Sequence, residues 1–171
     1  MSERFSGEAL VIGLGNPLMG DDGIGLAALD RLAAEWHLPP TVELLDGGTW
    51  GLNLLHRIEA AGQVLFLDAV RAGRRPGDLI ELDRYEVPRR LDLKLSPHQI
   101  DLREVLALAE WRGTLPSGLS CLGLEPDSVE LRAGLSPTVS GRLDRLVDAA
   151  AARLRAWGHT VARRGGVPAH A

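Results

Sequence analysis

Short apolar runs that close on glycine or an acid alternate along this chain with stretches whose apolar positions recur at helical spacing. Residues 9–14 are a run of the first kind and predict a buried strand. Ile24, Ala28, Leu32 and Trp36 follow at helical spacing, so a helix is expected over about 22–36, with Asp21 as its N-cap. Residues 42–45 predict a second strand, closed by Asp46-Gly47-Gly48. Thr49 then caps a short helix whose apolar face is Leu54, Leu55 and Ile58. A third buried strand is expected at 64–67 and a fourth, more exposed one at 79–82.

Serine caps a helix and proline suits its first position, so Ser96 and Pro97 mark a helix start. Leu102, Val105, Leu106 and Ala109 give that helix its buried face, and Gly113 ends it. Residues 119–124 predict a fifth strand. Ser136-Pro137 repeats the cap-plus-proline start, and Val139, Leu143, Leu146, Ala150, Leu154 and Trp157 stripe a last helix ending at Gly158. From His159 the chain turns polar and Gly-rich, which predicts a single domain over 1–158 and a flexible tail over 159–171.

Strands alternating with helices imply an α/β fold: a single three-layer αβα domain around a mostly parallel, about five-stranded twisted sheet. Sheets of this kind place their binding crevice beyond the carboxyl ends of the strands. Composition narrows the picture. Hydrophobic residues are 45% and charged ones 25% of 171 positions, ordinary for a soluble globular protein. The net charge of −4 argues against a nucleic-acid partner, and Arg74-Arg75, Arg89-Arg90 and Arg163-Arg164 read as solvated surface. Cys121 is the only cysteine, which excludes an internal disulfide and a thiolate cluster, and its apolar setting predicts a buried structural thiol. No apolar stretch approaches the ~18 residues of a membrane span. The expectation is a reduced, cytoplasmic monomer with no membrane partner.

The chemistry lies in polar motifs at the ends of predicted strands. Gly13-Leu14-Gly15-Asn16-Pro17 runs into Asp21-Asp22-Gly23. A dinucleotide fingerprint needs a third glycine where Leu18 stands, and two acids at the helix mouth would repel a pyrophosphate. With Asp21 assigned to the cap, Asp22 is free to point into the crevice. Asp68 follows the buried run of 64–67, and an acid there is either a satisfied turn residue or a crevice acid. His98 falls in the first turn of a helix, where the dipole keeps imidazole neutral, the form that a metal needs. His37 and His56 read as structural, and His159 and His170 as solvated. No G-x-S-x-G elbow or H-E-x-x-H helix is present.

Taken together, these motifs resemble those of the hydrogenase maturation endopeptidases, which process the large subunit of nickel–iron hydrogenases. The matching residues are Gly13-Leu14-Gly15-Asn16 with Asp21-Asp22-Gly23 and Gly25, Leu45-Asp46-Gly47-Gly48-Thr49, Leu67-Asp68-Ala69, Ser96-Pro97-His98-Gln99 and Gly134-Leu135-Ser136-Pro137. They follow the family's order. The resemblance implies that Asp22, Asp68 and His98 contact nickel carried by the immature subunit, and that the enzyme removes a C-terminal extension from that precursor. The first acid is glutamate in part of the family and aspartate here. Asp46, Gly47, Gly48 and Thr49 are expected to contact substrate, since the side-chain-free middle of that loop would admit a backbone.

Two other classes compete. Peptidyl-tRNA hydrolases also carry a strand followed by Gly-Leu-Gly-Asn-Pro, but this chain continues with Gly20-Asp21-Asp22 and its acidic balance suits tRNA poorly. A maturation chaperone that holds the nickel-loaded precursor without cutting it is the non-enzyme alternative.

Overall fold

A computed structural model of the chain describes residues 5–48, 53–90 and 102–165. In chain order the elements are β1 (Phe5–Leu14), α1 (Ile24–Glu35), β2 (Trp36–His37), β3 (Val42–Gly48), α2 (Asn53–Ala60) and β4 (Ala61–Ala69). There follow β5 (Leu79–Leu82), α3 (Val87–Arg90), α4 (Leu102–Trp111), β6 (Gly118–Leu124), α5 (Pro137–Ser140), α6 (Leu143–Ala156) and β7 (Ala162–Arg163). Five strands form the central sheet in the order β3-β1-β4-β6-β5. All neighbours are parallel except β5, which runs antiparallel along the edge of β6.

The apolar runs are continuous because both faces of these strands are covered. Val11, Leu65 and Leu67 face a layer made by α1 and α6, where Leu32, Leu146 and Leu154 are fully buried. Ile12, Phe66 and Cys121 face the opposite layer, against Ile58 of α2 and Leu106 of α4. Side chains of this size each stabilise the fold by about 1.5–3 kcal/mol when fully buried. The chain leaves β1 toward β3 on one side and reaches β4 on the other. The point where strand order reverses therefore lies between β1 and β4, and its carboxyl edge is where sheets of this kind bind their ligands.

The structure departs from expectation in four places. A 3₁₀ turn, Gly20–Gly23, precedes α1, and the N-cap of α1 is Gly23, so Asp21 does not cap the helix. Ser136 does cap, with its Oγ accepting from the Val139 amide at 3.4 Å, but the helix it starts ends at Ser140 and α6 begins anew at Leu143. Trp36 ends in a strand rather than on α1, and the Trp36-His37 pair runs antiparallel to Ala162-Arg163. Over residues 159–165 the chain stays on the body: His159 is buried, and Arg155 and Arg163 lie 5.0 and 5.8 Å from the Trp36 ring centroid. The expected helix start at Ser96-Pro97 and the Thr49 cap lie outside the described residues. From Leu102 onward α4 buries the expected face, and Gly113 closes it with φ of 68°.

Candidate active site

The loop after β1 is built to return a carboxylate toward the sheet. Gly15 has φ of 109°, and a Cβ there would stand 1.8 Å from the Asp22 carbonyl oxygen, so no other residue fits. The Asn16 amide donates to Asp22 Oδ2 at 2.8 Å, while the Leu18 amide donates to Asn16 Oδ1 at 3.0 Å. Gly25 brings the helix down onto the strands: a Cβ there would meet the carbonyl oxygens of Leu67 at 2.1 Å and Leu14 at 2.5 Å. One glycine thus seats the start of α1 over the ends of β1 and β4, and Asp22 comes to the crevice with it.

Asp68, at the end of β4, is 4% exposed. Its Oδ1 accepts from the Ala69 amide at 2.8 Å, the only hydrogen bond it receives among the described residues. Burial pushes its carboxyl well above the ordinary range; the single amide bond opposes that, and the neighbouring Asp22 charge adds to it. Asp22 and Asp68 are therefore close enough to repel, and among the described residues each carboxylate accepts a single amide. The Cys121 thiol is buried in the next strand and pushed up by burial and by Asp68, as expected of an inert core thiol.

Asp21 has a different task from the one its neighbour has. It is fully buried, and its Oδ2 accepts from the Asp127 amide at 2.9 Å, the Ser128 amide at 3.0 Å and the Ser136 hydroxyl at 2.8 Å. Its Oδ1 accepts from the Ser136 amide at 2.7 Å. Burial alone would raise its pKa, but these bonds outweigh burial and hold it below the ordinary value. Two further backbone bonds, Gly20 amide to Arg132 and Asp21 amide to Ser128, fix the same turn to the 127–136 loop. Glu125 acts likewise on the loop after Asp68, accepting from the amides of Ala72 at 2.7 Å and Arg74 at 3.1 Å. Sequence reasoning missed both roles. Glu125 carries the same signal as Asp68, an acid directly after a buried strand, whereas nothing in the Asp21-Asp22 doublet separates the clamp from the crevice acid.

Asp46 and Gly48 lie at the carboxyl end of β3, beside Gly13 and Leu14 of β1. Gly47 is buried, and a Cβ on it would meet Ile12 Cγ2 at 2.5 Å and Leu14 Cδ2 at 2.8 Å. Its missing side chain is thus required by the packing of Ile12 and Leu14. Asp46 is exposed and borders a cleft of about 300 Å³ walled by Pro17, Gly20 and Gly23 of the turn, Leu26 of α1, and Leu135. His98 and Thr49 lie outside the described residues, and no group of three metal-ligating side chains occurs among the described ones. His37 and His56 are exposed rather than structural, and His159 is packed at the opposite edge of the sheet.

Comparison with known proteins agrees with this architecture. A family model described as hydrogenase maturation protease matches residues 27–153. The hydrogenase expression/formation protein HupD of Rhodobacter capsulatus is 39% identical over 156 residues, covering 90% of this chain and 74% of that protein. The hydrogenase 2 maturation protease of Escherichia coli K12 is 36% identical, over 87% of this chain and 92% of its own length. The solved structure of the E. coli hydrogenase maturating endopeptidase HybD superposes with a TM-score of 0.85 at 35% identity, covering 92% of this chain and 98% of that one.

Proposed function

This chain belongs to the hydrogenase maturation protease family and is a hydrolase, and on that premise we propose that it removes the C-terminal extension from the nickel-loaded large-subunit precursor of a nickel–iron hydrogenase. The observation that carries this reading is the pair Asp22 and Asp68, two carboxylates close enough to feel one another's charge near the strand-order reversal, one of them buried with a single donor among the described residues. Two such groups repel until a cation joins them. Carboxylate oxygens and an imidazole nitrogen suit a divalent first-row ion, and three protein ligands leave positions open for the substrate. The nickel belongs to the substrate, so it serves as the feature by which a loaded precursor is told from an empty one, with His98 as the third contact. Asp46, Gly48 and Thr49 are assigned to the substrate backbone at the end of β3.

Cleavage of a peptide bond needs a water, a group to take its proton and a donor for the leaving amine. Whichever carboxylate the nickel leaves free takes the proton from the water and returns it to the leaving amine. Asp68 suits this role, because burial raises its affinity for a proton above that of an ordinary carboxylate. The Asn16 amide keeps Asp22 aimed throughout.

The test is a cleavage assay on the unprocessed large subunit, with and without nickel, read by intact mass. Loss of a C-terminal peptide only in the nickel-loaded sample, abolished by Asp68→Ala or His98→Ala, is the expected result. A stable complex of unchanged mass would instead identify a precursor-binding chaperone.

A further inference from the structure

The cleft beside the candidate site has a wall that the fold itself does not explain. Leu26 stands half-buried on the first turns of α1 yet belongs to neither apolar core, and it faces Pro17 and Leu135 across about 300 Å³ of open space. That volume is at the small end of the roughly 300–1,000 Å³ range of ligand pockets, room for one or two side chains. Gly20 and Gly23, which flank the Asp21-Asp22 pair in one 3₁₀ turn, line the same cleft, so it lies against the turn that carries Asp22. The rim is acidic. Asp30 and Asp46 are exposed, and neither carboxylate makes an ion pair or hydrogen bond among the described residues.

We propose that this cleft is a specificity subsite that takes one side chain of the precursor with an aliphatic body and no negative charge, close in sequence to the scissile bond. The proposal rests on the protease reading above, because a peptide whose reacting bond sits at Asp22 must lay its neighbouring residues along the turn that carries Asp22. An apolar wall with two unpaired carboxylates at its mouth accepts an aliphatic side chain and rejects an acidic one, both by desolvation and by like charge. The wall is also stiff. The Asp21 carboxylate ties the turn to Ser136, next to Leu135, so the two sides of the cleft keep their spacing.

Leu26→Trp fills the cleft from a position outside the core. Affinity for the nickel-loaded precursor is measured by equilibrium binding in the Asp68→Asn background, with and without Leu26→Trp, and KM and kcat are measured in the active protein. The expected result is a Kd and KM raised roughly tenfold or more, with kcat and melting temperature little changed. Replacing the residues flanking the scissile bond by alanine one at a time should then restore binding to the Leu26→Trp protein at a single position. An unchanged Kd in folded Leu26→Trp, or no rescue at any flanking position, overturns the subsite. If the protein binds the precursor but never cleaves it, the protease reading fails while the binding series still decides the subsite.

Discussion

Asp21 and Asp68 are almost equally removed from water, and their surroundings treat them in opposite ways. Around Asp21 the chain converges three amides and a hydroxyl, drawn from a loop more than a hundred residues away in sequence. Around Asp68 the described residues supply one amide, from the very next residue, and set a second carboxylate nearby. A buried carboxylate with four donors is a structural part, because its charge is satisfied within the fold. One that is left short of donors is costly, and such a cost persists where the missing partner arrives with the substrate. Burial alone does not mark a site. The number of donors left unfilled does.

The sharpest way to break this comparison is to neutralise each acid in turn. Asp68→Asn should lower nickel-dependent cleavage by on the order of 10²–10³-fold, the several kcal/mol expected when a charge facing a catalytic cation is lost. It should also raise the melting temperature of the free protein, since the amide keeps an oxygen for the Ala69 amide and offers its NH₂ to Asp22. Calorimetry beside the cleavage assay reads both. A melting temperature that falls would show Asp68 to be satisfied in the free fold, and would remove the contrast with Asp21.

Asp21→Asn should do the reverse in the first instance: destabilise. An NH₂ group cannot accept from the amides and hydroxyl around it, so the change sets donor against donor in a fully buried place. The loss expected is about 3–5 kcal/mol, as for removing one partner of a buried charged contact, and denaturant midpoints will measure it. A loss under about 1 kcal/mol would mean that the 127–136 loop is held by its backbone bonds alone.

The two acids also predict opposite responses to pH in the free protein. Asp21 has its pKa lowered from the ordinary 3.8, so its contribution is present above that value and is lost as pH falls through the folded value. Asp68 has its pKa raised well above 3.8, so the fold is favoured below 3.8 and loses stability as pH rises toward and through the raised value. Each slope is bounded by about 1.4 kcal/mol per pH unit for a single proton. Urea midpoints between pH 3 and 7 should therefore show the deficit of Asp21→Asn shrinking toward acid and the advantage of Asp68→Asn growing toward neutral. Parallel curves for all three proteins would contradict both assignments.

Much of this was legible in the sequence. The buried run at 64–67 and the apolar stripe of α4 follow from local pattern, because burial leaves direct traces in residue type. Asp68 was visible as an acid at the end of such a run, and Asp22 as an acid at the mouth of the helix that follows the glycine loop. What escaped were consequences of long-range packing. That Asp21 rather than Asp22 faces inward depends on a loop at 127–136, and that Gly47 serves Ile12 and Leu14 depends on the neighbouring strand. Neither contact has a local signature.

His159 makes the same point at the opposite edge of the sheet, where polar composition suggested a solvated tail. Its ring lies between the Thr41 hydroxyl at 3.0 Å from Nδ1 and Gln63 Oε1 at 2.7 Å from Nε2, and its amide donates to the Leu154 carbonyl. A neutral ring satisfies both partners at once, donating from Nε2 and accepting at Nδ1. Here, unlike at Asp68, no donor or acceptor is left over and no charge waits for a partner. His159→Ala should therefore cost about 1–2 kcal/mol, the worth of two part-buried hydrogen bonds, and leave kcat and KM for the precursor unchanged. A loss of cleavage per folded molecule would show the amino edge of the sheet to be coupled to Asp22 and Asp68. The distinction between a filled polar cluster and an unfilled one would then no longer separate scaffold from site.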